Sequence, residues 1–215
     1  AFVAGGQQMF IHTGLITNLE SANQLIGVLA HETGHIAGGH LIRTREGARV
    51  ASVPMILSLA AGIAVALAGI PEAGMAIMMS GQSAAMGSFF AFSRAQESIA
   101  DQSAIRYLEA TGQSGRGMLE LFARFEGQEI LSARRQPVYA RSHPVPRDRI
   151  FRLENMVEMS EYADRKDPPE IEHEFKMLQG KLRGYTNPPT ATLRQYPESD
   201  TSQPARYARA MAYFR

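Results

Sequence analysis

The residues best suited to chemistry lie at positions 31 to 35, where the sequence reads His-Glu-Thr-Gly-His. On a helix, His31 and His35 lie one turn apart on one face, so two imidazole nitrogens can bind the same metal ion. Glu32 is the next residue round the helix and is the candidate general base, because its carboxylate can take a proton from a water that the metal activates. The pattern predicts a metal site that directs water at a carbonyl group.

A catalytic zinc site needs a third protein ligand, and the motif supplies only two. A second amphipathic helix is predicted from about Ser93 to Glu109, and Glu97 and Asp101 share its apolar face. Buried carboxylates need a partner. We therefore predict that Glu97 binds the metal and that Asp101 accepts a hydrogen bond from a ligand histidine. The alternative is a structural salt bridge to Arg94 or Arg106.

The remaining histidines have weaker claims to the site. His143 lies in an irregular segment rich in Pro and Arg, six residues before Arg149. It could hydrogen-bond a developing oxyanion or close the fourth metal position, and the alternative is an exposed loop histidine. His40 lies off the face of the motif and is expected to be structural or exposed. His12 and His173 are expected to lie outside the site.

The composition excludes several classes of protein. The chain has 215 residues, enough for one large domain or one and a half. Lys and Arg number 22 against 21 Asp and Glu, so no strongly basic surface suggests nucleic acid as a partner. There is no Cys, which excludes disulfides, thiol catalysis and cysteine-based zinc sites. The hydrophobic fraction of 45% is that of a globular protein.

The elements that must position these residues are mainly helical. Phe2–Ile16 has strand-forming residues broken by glycines and predicts a strand or hairpin. A helix is predicted from Ser21, its N-cap, to about Glu46. Three glycines share one face of that helix, which predicts close packing there: Gly27, Gly34 and Gly38. A further helix is predicted around the apolar residues Met118 and Phe122.

The stretch 51–92 is unusual because Glu72 is its only charged residue. Pro71 divides it into two halves close to the roughly 20 residues of a membrane-spanning helix, while Pro54 is expected to interrupt the first half. Three interpretations remain open. The stretch is a hairpin buried against its own domain, a surface that rests on lipid, or a pair of membrane spans.

Proline pairs mark the C-terminal organisation. Asp167-Pro168-Pro169 predicts a boundary between a metal-binding domain, 1–166, and a region of linker helices, 167–215. A second pair, Pro188-Pro189, precedes two short helical patterns. The chain opens without a signal-peptide pattern, so we expect it to begin inside a longer protein.

Three motifs in order resemble one family. His-Glu-Thr-Gly-His, the segment 93–101, and Ser142-His143-Pro144 with Arg149 are similar to the HtpX/BepA type of gluzincin metalloproteases, and most to the periplasmic BepA branch. The resemblance covers about residues 1–160 and implies a mostly helical α+β, zincin-like protease domain with a small β-sheet. The segment 196–213 resembles the first helix of the tetratricopeptide array that follows this domain in BepA-like proteins.

The resemblance also implies a site. One Zn²⁺ per chain would be bound by His31, His35 and Glu97, with Glu32 as general base. Asp101 would support a ligand from behind, and Arg149 would support the site. The loop carrying His143 would block the zinc in a latent state. These roles are expectations that the resemblance carries, residue by residue.

The expected function is hydrolysis of unfolded or misassembled envelope proteins in the bacterial periplasm. Partners would include such substrates, the outer-membrane assembly machinery and a membrane surface. Two other functions stay open on the sequence. One is a chaperone or assembly factor whose zinc site is latent or structural. The other is an intramembrane protease in which the uncharged stretch spans the bilayer.

Overall fold

The computed structural model describes residues 1–126 and 143–214. Residues 134–142 of the predicted irregular segment 134–147 lie outside the described residues. The described elements are mostly helical, with one two-stranded antiparallel sheet, which confirms the predicted fold class. They are β1 Phe2–Ala4, β2 Gln8–Phe10, α1 Thr13–Asn18, α2 Ala22–Ala37, α3 His40–Leu67, α4 Pro71–Ala110, α5 Arg116–Phe125, α6 Arg147–Glu158, α7 Pro169–Thr186, α8 Pro189–Gln195 and α9 Gln203–Phe214.

The N-terminal segment is a hairpin followed by a short helix. β1 and β2 pair so that Phe2 lies opposite Phe10, and their rings stack at 5.2 Å. The prediction of strand as far as Ile16 is wrong, because α1 begins at Thr13. The carbonyl oxygens of Ile16 and Leu19, in and just after α1, accept hydrogen bonds from Gln179 of α7, so tertiary contact decides the conformation here.

The motif helix α2 begins as predicted and ends earlier than predicted. Ser21 Oγ accepts a hydrogen bond from the backbone N–H of Gln24, which caps the helix. The helix stops at Ala37 instead of continuing to Glu46, because Gly39 adopts φ 62° and turns the chain. Such a left-handed conformation is readily available to glycine. Helix α3 then begins at His40.

Two glycines of α2 allow other helices to approach closely, as predicted. A Cβ built on Gly27 would lie 2.7 Å from the Met118 side chain of α5. A Cβ on Gly34 would lie 2.8 Å from the carbonyl oxygen of Ala100 on α4. These contacts pack α2 between α4 and α5, next to a core of fully buried side chains that includes Phe122, Leu108 and Leu153.

Helices α3 and α4 form a long hairpin. The predicted interruption at Pro54 is wrong, since α3 runs through it from His40 to Leu67. Proline removes one helical hydrogen bond, but α3 packs closely on α4 along the hairpin, with Gly81 against Ser58 and Gly62 against Gly74. Helix α4 is continuous for 40 residues and therefore joins the uncharged stretch directly to the segment with Glu97 and Asp101.

The outer surface of the hairpin is apolar and exposed. By length and composition α3 is long and apolar enough to cross a membrane, with a mean hydropathy of 2.2 over an 18-residue window of which 11% is buried. The interpretation that the hairpin is buried against its own domain is therefore wrong. Its exposed large side chains include Val53, Ile56, Leu57, Leu59, Ile63, Leu67, Ile70, Met75, Met79 and Met86.

The C-terminal helices pack back on the N-terminal half. Phe175 of α7 joins the hydrophobic core, and Glu172 accepts a hydrogen bond from the N–H of Ala22 at 2.8 Å. Helix α9 crosses α7 where Gly180 and Gly184 leave room for its backbone. The division into 1–166 and 167–215, and the repeat character of the tail, stay predictions.

Candidate metal centre

The three predicted ligands meet between α2 and α4. His31 Nε2 lies 3.0 Å from His35 Nε2. The two oxygens of Glu97 each lie 3.4 Å from one of these nitrogens, Oε2 from His31 and Oε1 from His35. His31 is fully buried, and Glu97 is 6% exposed. The close contact of Gly34 with Ala100 lies between His31 and His35 on α2 and between Glu97 and Asp101 on α4, and it holds these two pairs at this separation.

This cluster fits a zinc ion. The ligand atoms of a tetrahedral site with bonds of about 2.0–2.1 Å lie about 3.3–3.4 Å apart, close to the distances here. Imidazole nitrogens and a carboxylate are ligands that zinc accepts. Together with His143, the two histidines and Glu97 offer four ligand atoms that lie within 4.8 Å of one another. Beside them, Glu32 Oε2 is buried with no hydrogen-bond partner among the described residues.

Two further side chains, Asp101 and Arg149, contact the predicted ligands. Asp101 Oδ1 lies 2.9 Å from His31 Nδ1. Arg149 donates two hydrogen bonds of 2.8 Å to the carboxylate of Asp101, and it also lies 3.0 Å from Glu97. The cation that pairs with the buried carboxylates of Glu97 and Asp101 is thus Arg149. The two alternatives considered from the sequence were Arg94 and Arg106. Its guanidinium lies 5.0 Å above the Phe122 ring.

His143 lies inside the cluster. Its Nε2 is 3.2 Å from Glu32 Oε1, and its Nδ1 is 3.2 Å from Glu97 and 3.4 Å from His31 Nε2. The residue is 6% exposed, so the alternative of an exposed loop histidine is wrong. The ring occupies the space between the candidate base and the candidate ligands. Arg149 holds this position by donating a hydrogen bond to the carbonyl of Pro144.

Burial and hydrogen bonding act in opposite directions on the cluster. For His143, burial acts to lower the pKa, but hydrogen bonds with Glu32 and Glu97 outweigh it and raise the pKa to about 9. Burial acts to raise the pKa of Glu97, yet its hydrogen bonds with three histidines hold that pKa well below its usual value. Burial lowers the pKa of His35. An ionised Glu97 and a neutral His35 are the forms that metal binding requires. For His31, burial acts to lower the pKa, but hydrogen bonds with Asp101 and Glu97 outweigh it and raise the pKa.

One residue beside the site was not assigned to it from the sequence. His40 is 3% exposed, and its Nδ1 lies 2.9 Å from Nδ1 of His35. Burial, and then the neighbouring His35, lower its pKa to about 4. The signal in the sequence was the Gly38-Gly39 pair, which ends α2. His12 and His173 are exposed and lie outside the cluster, as expected.

A cavity of 220 Å³ opens beside the cluster. Glu32, His35, Glu97 and His143 line one part of it, and Phe2 and Val3 of β1 line another. An extended strand therefore borders the space next to the candidate base.

Comparison with known proteins identifies a group of related proteases. A beta-barrel assembly-enhancing protease of Escherichia coli K12 is 27% identical over 72% of the chain, and one of Yersinia pestis is 25% identical over 72%. A provisionally named member of the same group from Vibrio cholerae is 31% identical over 70%. The chain spans about a third of the length of these relatives. No solved structure matches.

The family comparison covers the whole site. The model of peptidase family M48 matches residues 1–157, which include both ligand helices, His143 and Arg149. The match and the relatives confirm the resemblance indicated by the three sequence motifs. This chain belongs to peptidase family M48.

Proposed function

We propose that the chain is the catalytic domain of a zinc metalloendopeptidase. The observation that carries the proposal is the convergence of His31, His35 and Glu97 at 3.0–3.4 Å beside the buried carboxylate of Glu32. The first three residues would bind the zinc. A zinc ion in such a site lowers the pKa of a bound water to about 7 and polarises a carbonyl group.

The chain's own residues supply the remaining parts of peptide hydrolysis. Glu32 takes the proton of the attacking water and can pass it to the leaving amine. Asp101 fixes the ring of His31 through Nδ1, and Arg149 compensates the charge of Asp101. Each of these groups is nine-tenths or more buried, which strengthens their electrostatic interactions.

The substrate class we propose is extended polypeptide. β1 borders the cavity, and a substrate segment can add to it as a strand, with backbone hydrogen bonds that do not depend on sequence. Folded proteins rarely offer such a segment, so unfolded or misassembled proteins are the expected substrates. The names of the relatives refer to β-barrel assembly. We propose by extension that this chain acts in the periplasm on misassembled envelope proteins, near the outer-membrane assembly machinery.

We also propose that the described conformation is latent. The ring of His143 hydrogen-bonds Glu97 and lies 3.2 Å from Glu32 as an ion pair, so it takes the place that the attacking water and the scissile peptide need. Displacing the segment that carries His143 would free Glu32. A substrate or partner that binds this segment would then activate the enzyme.

The α3–α4 hairpin is proposed to contact lipid. The uncharged parts of the two helices, residues 50–67 of α3 and 73–93 of α4, form two arms of about 27 Å and 32 Å at 1.5 Å per residue, close to the hydrocarbon core of a bilayer. Four exposed arginines lie where the arms meet the protease core, in position for anionic headgroups: Arg43, Arg45, Arg49 and Arg94. The length and apolar composition of α3 and the arginines at the base of the hairpin therefore support contact with an anionic membrane.

Five serine side chains of the arms do not oppose this placement. Five serines in the hairpin donate their hydroxyl groups to carbonyl oxygens three or four residues earlier in the same helix: Ser52, Ser58, Ser80, Ser83 and Ser88. A hydroxyl satisfied in this way costs less in lipid than a free one. Small residues also bring the two arms together, as at Gly62 and Gly74, which is a common arrangement between helices in membranes.

Lipid contact is tested by flotation of the protein with vesicles of phosphatidylcholine and phosphatidylglycerol. We expect the wild type to float with the vesicles and Ile63→Asp to do so about tenfold less, because a carboxylate in the apolar arm opposes insertion. The matched control is Phe214→Asp, which changes an exposed apolar residue of α9. Equal flotation of wild type and Ile63→Asp would contradict the proposal.

Hydrolysis of an unfolded model protein tests the enzymatic function. We expect the zinc-loaded protein to cleave it slowly, a chelator to stop cleavage, and added zinc to restore it. Cleavage should also be faster on an unfolded protein than on its native form. If neither the wild type nor a variant with His143 removed cleaves when zinc is bound, the alternative of a chaperone or assembly factor with a structural zinc site is correct instead.

A further inference from the structure

His40 lies beside the metal cluster without belonging to it. Its Nδ1 is 2.9 Å from Nδ1 of His35, and the two rings meet edge to face with centroids 4.9 Å apart. In a hydrogen bond between two imidazole nitrogens, one ring donates and the other accepts. A His35 ring that binds metal through Nε2 carries its hydrogen on Nδ1. His40 would then be the acceptor, with its own hydrogen on Nε2.

The backbone is arranged to bring His40 to this place. On a continuous helix, a residue five positions after His35 would point about 140° away from it. Gly39, at φ 62°, ends α2 and redirects the chain so that the first residue of α3 returns toward the last turn of α2. Gly38 leaves room for the ring, since a Cβ there would lie 2.4 Å from His40 Nε2. Both glycines are therefore needed for the contact.

Packing alone does not account for a histidine at this position. His40 is 3% exposed, and its Nε2 has no hydrogen-bond partner among the described residues. A buried polar group without a partner destabilises the fold, and an apolar side chain of similar size would avoid this cost. The contact between His40 and His35 is the interaction that only a polar side chain can supply here.

The two ligand histidines are supported by different acceptors. Nδ1 of His31 faces the carboxylate of Asp101 at 2.9 Å, whereas Nδ1 of His35 faces the imidazole of His40. Metal-binding histidines usually donate their second N–H to such an acceptor, which fixes the ring and its tautomer. We propose that His40 is a positioning residue that accepts a hydrogen bond from Nδ1 of His35 and holds Nε2 of that ring in the ligand cluster. This inference rests on the proposed zinc site and does not depend on its activity.

The test compares two side chains of nearly the same shape. His40→Leu removes the acceptor, and His40→Asn keeps an amide oxygen close to the position of Nδ1. Zinc affinity is measured by competition with a chromophoric chelator. We expect His40→Leu to bind zinc about 10–100-fold more weakly than the wild type, the usual effect of losing such a partner, and His40→Asn to lose much less. The absorption bands of the cobalt-loaded protein should shift in His40→Leu and stay close to wild type in His40→Asn.

Gly38→Ala is an independent perturbation of the same contact. Its methyl group would displace the ring of His40 while leaving both histidines in the sequence, so zinc affinity should fall as in His40→Leu. If circular dichroism without metal shows that His40→Leu does not fold, the zinc affinity of Gly38→Ala tests the role of His40 instead. The matched control is His173→Leu, which changes an exposed histidine of α7 and should bind zinc like the wild type.

The outcomes separate this inference from the proposed function. If His40→Leu has the same zinc affinity and the same cobalt spectrum as His40→Asn, the proposed role of His40 is overturned. The proposed zinc site is not affected by that result. If the wild type itself binds no zinc, the proposed function fails, and the inference about His40 fails with it.

Discussion

Glu32→Gln should reduce peptide hydrolysis by about 10²–10⁴-fold, the usual contribution of a positioned general base, while zinc content stays at the wild-type level. Glutamine has the shape of glutamate but cannot accept the proton of the attacking water. Glu32 is fully buried and does not belong to the group of ligand atoms formed by His31, His35, Glu97 and His143. The substitution therefore separates loss of the base from loss of the metal.

The measurement is cleavage of an unfolded protein together with metal analysis of the same sample. Glu174→Gln is the matched control, because it makes the same chemical change at an exposed position on α7. Wild-type cleavage by Glu32→Gln would show that another group takes the proton. Loss of zinc from Glu32→Gln would show that Glu32 helps to bind the metal, which contradicts the role assigned to it.

His143→Ala should increase hydrolysis by about 10–100-fold. The ring of His143 hydrogen-bonds Glu97 at 3.2 Å and forms an ion pair with Glu32, also at 3.2 Å, and it must leave before Glu32 can act on water. A hydrogen bond to a charged group contributes about 1.5–3 kcal/mol, which corresponds to roughly 10–100-fold in the population of the blocked form. Without the ring, no free energy is needed to displace His143 from Glu32, so hydrolysis should be faster.

Initial rates on the unfolded protein, measured with zinc in excess, test this second prediction. His173→Ala is the control for loss of an exposed histidine. A large decrease in rate with zinc still bound would contradict latency and place His143 in the transition state, where it would hydrogen-bond the developing oxyanion. Unchanged rates would show that the ring neither blocks nor assists the reaction.

The inward position of Glu97 and Asp101 could be predicted because it depends only on helical periodicity. Both residues share a face with apolar neighbours, and the apolar face of an amphipathic helix packs toward the core. The Cβ contacts of Gly27 and Gly34 follow from the same reasoning, since a glycine on a buried face allows close approach. Local sequence was sufficient for these features.

The contacts of His40 and Arg149 could not be predicted in this way. His40 reaches His35 only because Gly39 adopts a left-handed conformation, and a glycine in a sequence does not reveal which conformation it takes. Arg149 lies 48 residues from Asp101 in the chain, so their pairing depends on how α6 packs against α4. The path of α3 through Pro54 depends in the same way on the neighbouring α4.

The contact between Gly34 and Ala100 limits how far the distances between the metal ligands can vary. Gly34 lies between the two histidines of α2, and Ala100 lies between the two carboxylates of α4, so the distance between the helix axes is fixed at the level of the ligands. Metal–ligand bonds accept errors of only about 0.2 Å. A single added methyl group here would exceed that allowance, and the dimensions of the site therefore depend on one missing side chain.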